Sequence, residues 1–554
     1  NQIQFGDGQK KAQIDDLIRL KQELYGENDP ERKKILLEKI QTARKELLKL
    51  NFIGTNKEKE LFEIDKSHNK PYFAWRLEFI EVFIENDGFD IIIGNPPYIG
   101  QKGHKELFDL MSNNENFEKK MDYWYFFLHN AYEMTNEIGI VSYITPNYWI
   151  TAQGGKKLRN RIVNDFSFIR YINFNENKIF SAGIHTNVFV LSKVIKQDNE
   201  VSVCIFDNIY ENDFIKHMNN ENNFKIEQKI LLNNWTGFVN FIDTYNLSLL
   251  NKMTQNCEKL CDNESVGKSK KGIITGKKVT NGICNLNQGL VTGKDRLITE
   301  DINEGVFILY PEEISALTLE DDEKKYIKPF YKNSDIKQYW IDKKSNTNIL
   351  YVNNINDEDE LKKHKNIYQH LLKYKDILLK RSVNGVLKSA FSKGKWWALT
   401  TDRPNIKFDG ENIVFPQRSK INKFAYSNKE FYSSADIYYM SSNKEDYDLK
   451  YILALLNSKL MYFWLYWMGK RKGEALELYL EPLQFVPIKK ISKEQQNVFV
   501  EIVNQILRDK KNKEVLKSEL DKKIYRLYDL NEEEINYVDR FYDKKISSED
   551  EINE

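Results

Sequence analysis

The sequence predicts an α/β protein followed by an α+β region and a helical tail. Gly88-Phe89-Asp90 leads into Ile91-Ile92-Ile93. This apolar, β-branched run fits a strand buried on both faces of a parallel sheet. Runs at 138–144 and 187–191 alternate with helical stretches at 121–134 and 153–164, the order of a doubly wound sheet. Residues 284–490 are rich in Tyr, Trp and short β-like runs, and 491–554 return to helical spacing.

In chain order, residues 1–70 read as a helical hairpin arm. Ile14, Leu17, Ile18, Leu24 and Tyr25 mark one apolar face, and Leu36, Ile40, Ala43, Leu47 and Leu50 mark the other. Asp29 is placed to cap the second helix, with Pro30 at its first position. Residues 71–235 form the α/β region. Residues 236–283 lose periodicity and carry Lys268, Lys270, Lys271, Lys277 and Lys278 among glycines, as a linker or basic loop would. Residues 284–490 follow as a separate region. In the C-terminal helices, 491–554, Asn531 and Glu534 form a capping box ahead of Ile535, Val538 and Phe541.

The 554 residues include 83 basic and 82 acidic side chains, a net charge of +1. A uniformly basic nucleic-acid coat is excluded, while local basic grooves are not. Four cysteines (Cys204, Cys257, Cys261 and Cys284) make no disulfide framework. Cys257-x-x-x-Cys261 lacks a second ligand pair, so no metal site is expected. Residues 451–468 are strongly apolar but carry Asn457, Ser458 and Lys459 at their centre, which favours a buried amphipathic helix over a membrane span. The chain starts at Asn1 without a leader, so a cytoplasmic protein, and a piece of a longer one, is expected.

The chemistry-bearing residues are Asn95-Pro96-Pro97-Tyr98, directly after the 89–94 strand. In open α/β sheets, ligands bind beyond the carboxyl ends of strands. An exocyclic adenine amine is a poor nucleophile because its lone pair is delocalised into the ring. The Asn95 side-chain carbonyl can accept one of its N–H groups and the Pro96 backbone carbonyl the other. Both bonds favour a more pyramidal nitrogen with its lone pair aimed at an electrophile. Proline holds its carbonyl in place beforehand. Tyr98 offers a flat face for a base. No charged base is needed, which suits an amine attacking an activated methyl group. A base inside a duplex must be flipped out. Phe180, on the loop before residues 187–191, is the natural second stacking surface, with core packing as its alternative. His185 beside it is read as a satisfied histidine or a phosphate contact.

FDIIIGNPPYIG (89–100) resembles motif IV of the gamma-class N6-adenine DNA methyltransferases of type IIG-like restriction–modification systems. Residues 70–83 resemble the segment before that motif. Residues 122–134 and 139–150 resemble motifs V and VI, and the Phe180 stretch resembles motif VIII. Residues 287–299, 396–419 and 431–460 resemble the family's target-recognition domain. The resemblance implies S-adenosylmethionine as cofactor, with Pro97 lining its pocket, and double-stranded DNA as partner. It implies a Rossmann-like methyltransferase sheet, but the family's glycine-rich motif I is not found before Asn95. Phe5-Gly6-Asp7-Gly8 has the wrong spacing. The expectation is a partial sheet lacking its front half, supplied by an upstream segment, with a nuclease domain or subunit as another possible partner. Lys268, Lys270, Lys271 and Lys294 are candidates for DNA phosphates, as is Lys470-Arg471-Lys472. Arg403 and Arg418 are candidates for reading guanine. A recognition module inactive by itself is the alternative; an RNA or protein methyltransferase is a third, disfavoured by the long C-terminal region.

Overall fold

Asp29 accepts from the Glu31 amide at 3.0 Å and opens the helix Pro30–Phe52 (α2), which packs against Gly8–Gly26 (α1). Ile14, Leu17, Leu20, Leu36, Ile40 and Leu47 meet in the seam with Leu77 and Ile80. Tyr25, assigned to that apolar face, is instead 96 % exposed at the end of α1, where the stripe has run past its partner. The burial of Leu50 lies outside the described side chains. Lys21 bridges to Glu81 and Arg44 to Glu78, tying the hairpin to the segment beyond it. The computed structural model describes residues 8–52, 73, 75–175, 177, 179–181, 183–206, 223–233, 235–261, 282–298, 303–342, 346–381, 394–401, 403, 405–472, 475–509 and 511–547.

The chain divides into two units, Asn1–Asp243 and Thr244–Glu554. In the first, six strands form one sheet: Phe89–Gly94 (β1), Thr135–Pro146 (β2), Ser167–Asn173 (β3), Thr186–Ser192 (β4), Glu200–Ile205 (β5) and Phe224–Glu227 (β6). Their order is β1-β2-β4-β3-β5-β6. The expected all-parallel winding needs correction. β1 runs parallel to β2, but β4 lies antiparallel between β2 and β3. Among the described residues, the connection from β3 to β4 carries no crossover helix, in keeping with the antiparallel pairing of the two strands.

β1 is also not buried on both faces. Ile91 is 66 % and Ile93 80 % exposed. β1 is the end strand among the described residues, with β2 on one edge only. Gly88 enters β1 at φ +138°, and a Cβ there would lie 2.5 Å from the Met134 carbonyl oxygen. Only glycine permits that approach. Further in, Val141, Phe168, Phe189, Leu191, Val201 and Val203 are buried beneath the helices Trp124–Met134 and Lys156–Asn164.

In the second unit, residues assigned to a linker are partly regular structure. Thr244–Met253 is a helix with Leu247, Leu249, Leu250 and Met253 buried, and Cys257–Lys259 pairs with Pro487–Lys489. Asn412–Pro416 and Ile437–Ser442 are the central strands of an antiparallel sheet, flanked by Ala425–Ser427 and Cys284–Gln288. The apolar run at 451–468 is two buried helices, Leu449–Leu456 and Lys459–Met468. Its polar centre marks the break: Ser458 caps the second helix, and Asn457 exchanges two hydrogen bonds with the Phe424 backbone. No helix among the described residues is long and apolar enough to cross a membrane. Lys493–Arg508, Lys513–Leu527 and Glu532–Ser547 are the last helices of the described residues, and Asn531 and Glu534 make the reciprocal capping bonds.

Candidate active site and recognition residues

The carboxyl ends of β1, β2 and β3 share one edge of the sheet, because both β2 and β3 run antiparallel to β4. The loop Asn95–Tyr98 leaves β1 there, the turn Asn147–Ile150 leaves β2, and the loop with Phe180 leaves β3. This topology brings the three segments to one edge.

Asn95 and Pro97 are exposed, Pro96 is buried, and Tyr98 and Phe180 are half-buried. Tyr98 donates its hydroxyl to the Ile144 carbonyl at 2.9 Å. Burial pushes that hydroxyl up to about 12, further from ionisation than a free phenol. The Ile99 amide closes a tight turn onto the Pro97 carbonyl at 3.1 Å. The Tyr123 amide donates to the Ile99 carbonyl at 2.8 Å, and Gly100 forms an antiparallel bridge with Asp122.

The Phe180 loop is held at its base. The Asn147 amide donates to the His185 carbonyl at 3.0 Å, and the Asn147 side chain donates to Asn173 Oδ1 at 3.1 Å. His185 Nδ1 lies 2.6 Å from the Asn175 carbonyl oxygen, a satisfied histidine. Buried His129 is held neutral, its pKa lowered to about 3 by burial and the nearby Arg161 and Lys157 charges.

Two residues at this edge escaped sequence reasoning. Asp122 is 4 % exposed and accepts the Tyr148 hydroxyl through Oδ2. Burial raises the Asp122 pKa, partly offset by Tyr148 and by the amides of Tyr123, Trp124 and Ile99. The signal available was a lone carboxylate opening the aromatic run Tyr123-Trp124-Tyr125.

In the second unit, Arg403 is half-buried and its Nε donates to the Gly289 carbonyl at 3.0 Å. Arg418 directs Nε and Nη2 at one oxygen of Glu477, 3.1 and 3.0 Å away. Glu477 also faces Lys470, whose ammonium donates to the Tyr479 hydroxyl at 2.7 Å. Arg471 lies over the Tyr466 ring. Lys294 is half-buried, on the segment before Arg296–Ile298. Lys268, Lys270 and Lys271 lie outside the described residues. Cys257 Sγ donates to the Met253 carbonyl, and burial pushes its thiol up to about 12. Among the described residues, no group of three or more His, Cys, Asp or Glu side chains is arranged to hold a metal.

Residues 18–180 match the family profile of the Eco57I restriction-modification methylase, and 328–488 match that of the TaqI-like C-terminal specificity domain. The type II methyltransferase M.HindII of Haemophilus influenzae is 25 % identical over 474 residues, 82 % of this chain and 85 % of that protein. The type II methyltransferase M.MjaIV of Methanocaldococcus jannaschii is 29 % identical over 234 residues, 42 % of this chain and 73 % of its own length. Among solved structures, the type IIL restriction-modification enzyme MmeI in complex with DNA matches in fold, with a TM-score of 0.52 at 16 % identity. That match covers 82 % of this chain and 57 % of the enzyme's length.

Proposed function

From a chain that carries a restriction-modification methylase segment followed by a TaqI-like specificity segment, we propose that it transfers a methyl group from S-adenosylmethionine to the N6 amine of adenine within a specific double-stranded DNA sequence. The observation that carries this is the loop at the carboxyl end of β1. Asn95 is exposed there, and the Tyr98 hydroxyl is taken up by the Ile144 carbonyl.

Asn95 and Pro96 carbonyl oxygens each accept one amine hydrogen, which localises the nitrogen lone pair. Both acceptors are neutral, and proline holds the Pro96 carbonyl in place before the base arrives, so its stabilisation requires little reorganisation during reaction. With its hydroxyl tied down, Tyr98 presents ring rather than polar tip to a base. Phe180 supplies the opposite face. The adenine leaves the duplex to reach them, at a cost of a few kcal/mol recovered from stacking and hydrogen bonding. In this reading Pro97, exposed beside Asn95, lines one wall of the cofactor site. When bound, S-adenosylmethionine supplies the electrophilic methyl group. Arg403 and Arg418 in the specificity segment and Lys294 ahead of it, with the lysines at 268–271, contribute DNA contacts. A cytoplasmic location follows from that substrate.

The test uses the protein as its native gene encodes it, with methyl-labelled S-adenosylmethionine and duplex DNA. Nucleoside digestion should place the label in N6-methyladenine. Label in a cytosine derivative, or none in DNA, refutes the assignment.

A further inference from the structure

We infer that Asp122 and Tyr148 are a positioning pair, which fixes the Asn95–Tyr98 loop against the Phe180 loop and so sets the gap between their two rings. The inference rests on the methyl-transfer reading above and adds two residues to it.

Asp122 belongs to the first loop by its backbone. It bridges to Gly100, and its neighbour Tyr123 donates to Ile99. Both partners lie within two residues of Tyr98. Asn147 belongs to the second loop, through the His185 carbonyl and the Asn173 side chain. Tyr148 follows Asn147 directly on a single 3-10 turn, Asn147–Ile150. The hydroxyl of Tyr148 on Asp122 Oδ2 is therefore a side-chain cross-tie between the two loops, beside the Tyr98–Ile144 bond and the Lys120 contacts to Gln101 and Gln153.

The orientation of Tyr148 also points to a built feature. A surface tyrosine ordinarily keeps its body covered and its hydroxyl in water. Tyr148 does the reverse: the residue is 41 % exposed, yet its hydroxyl reaches a carboxylate that is 4 % exposed. Taking a carboxylate out of water is costly unless its partners are in place. Asp122 Oδ1 is buried without a hydrogen bond of good geometry, and the Tyr148 hydroxyl on Oδ2 joins the amides of Tyr123, Trp124 and Ile99 in compensating the group. A hydrogen bond from a phenol to a carboxyl group is directional, and so restricts the ring it holds. Tyr98 is anchored in the same manner, through Ile144 on β2.

The pair touches neither the amine nor the methyl group in this scheme. Losing it leaves the other ties of each loop in place, so the effect on turnover falls on geometry. Misplacement of reacting groups by about 1 Å can cost about a hundredfold in rate.

The experiment compares Tyr148→Phe, Asp122→Ala and Asp122→Asn in the protein as its native gene encodes it. Tyr148→Phe and Asp122→Ala should lower kcat at least about tenfold while KM for DNA stays within about threefold. Asp122→Asn retains an acceptor for the hydroxyl and should recover kcat to within about threefold of wild type. With 2-aminopurine at the target position, Tyr148→Phe should lengthen its fluorescence lifetime, because a wider gap stacks the base less closely. Hydrogen exchange at the Tyr123 and Asn147 amides should rise at least about tenfold in the same variant. Unchanged kcat and exchange in Tyr148→Phe would overturn the pair. So would failure of Asp122→Asn to recover activity. The exchange measurement needs no substrate. If wild type methylates no adenine but exchange responds as stated, the functional reading fails and the cross-tie stands.

Discussion

Replacing Arg159 with methionine tests how the turn after β2 is held. Arg159 is 4 % exposed, and its guanidinium donates to three backbone carbonyls: Gly237 at 3.0 Å, Trp149 at 2.9 Å and Ala152 at 2.7 Å. It also faces the Phe238 ring. A hydrogen bond to a charged group contributes about 1.5–3 kcal/mol, so three would sum to about 5–9 kcal/mol if independent. They are not independent, and burial of the cation opposes them, as its lowered pKa records. Methionine removes that burial cost and fills similar volume. A net loss of about 3–5 kcal/mol remains, the size expected when a buried network is broken. The assay is hydrogen exchange at the Ala152 and Val239 amides, which donate to the Tyr148 and Ile150 carbonyls. A loss of 3 kcal/mol corresponds to about a hundredfold faster exchange where opening is local. Less than about a threefold change at both amides would show that the three carbonyls find other donors, and that Arg159 does not hold the turn.

Burial pushes the Asp521 carboxyl, among the C-terminal helices, up to about 7, opposed by Lys459. Its folded pKa lies above the unfolded one, so stability falls as pH rises from about 4 to about 7, by at most about 4 kcal/mol. Asp521→Asn should flatten that fall and raise the unfolding temperature at pH 8; an unchanged pH dependence would contradict it. For DNA, replacing Lys268, Lys270 and Lys271 together with Ala should flatten the dependence of log affinity on log salt by up to about three units on all sequences. An unchanged slope would mean that these lysines meet no phosphate. Arg418→Ala should instead relax discrimination at one base pair by about 1–3 kcal/mol in titrations on cognate and single-mismatch duplexes. Uniform weakening across sequences would assign Arg418 to the backbone, and no change would leave it a partner of Glu477 alone.

The loop at Asn95 was legible because its signal is local. An apolar strand ending in Gly94 and stiffened by two prolines puts Asn95 at a strand's carboxyl end whatever surrounds it. The burial of β1 was not legible: Ile91-Ile92-Ile93 records a preference for an apolar setting, but exposure is decided by neighbouring strands and layers. Strand direction was lost for a related reason, since β4 has the same pattern whichever way it pairs. The helix 244–253 was missed because half its residues are polar and lysine-rich sequence follows. The Asn457–Ser458 break was visible as polarity, but its partner Phe424 is 33 residues away. Asp122 and Tyr148 are separated by 26 positions, and each alone reads as a loop acid and a turn aromatic.

The central claim is that the loop after β1 activates an amine through neutral acceptors. Asn95→Ala, in the protein as its native gene encodes it, tests this most directly. One acceptor to the amine is realised chiefly in the transition state, so its loss should lower the single-turnover methylation rate by about a hundredfold or more. Affinity for the cognate duplex should stay within a few-fold. Near-normal turnover in Asn95→Ala would contradict the account, whatever the DNA affinity.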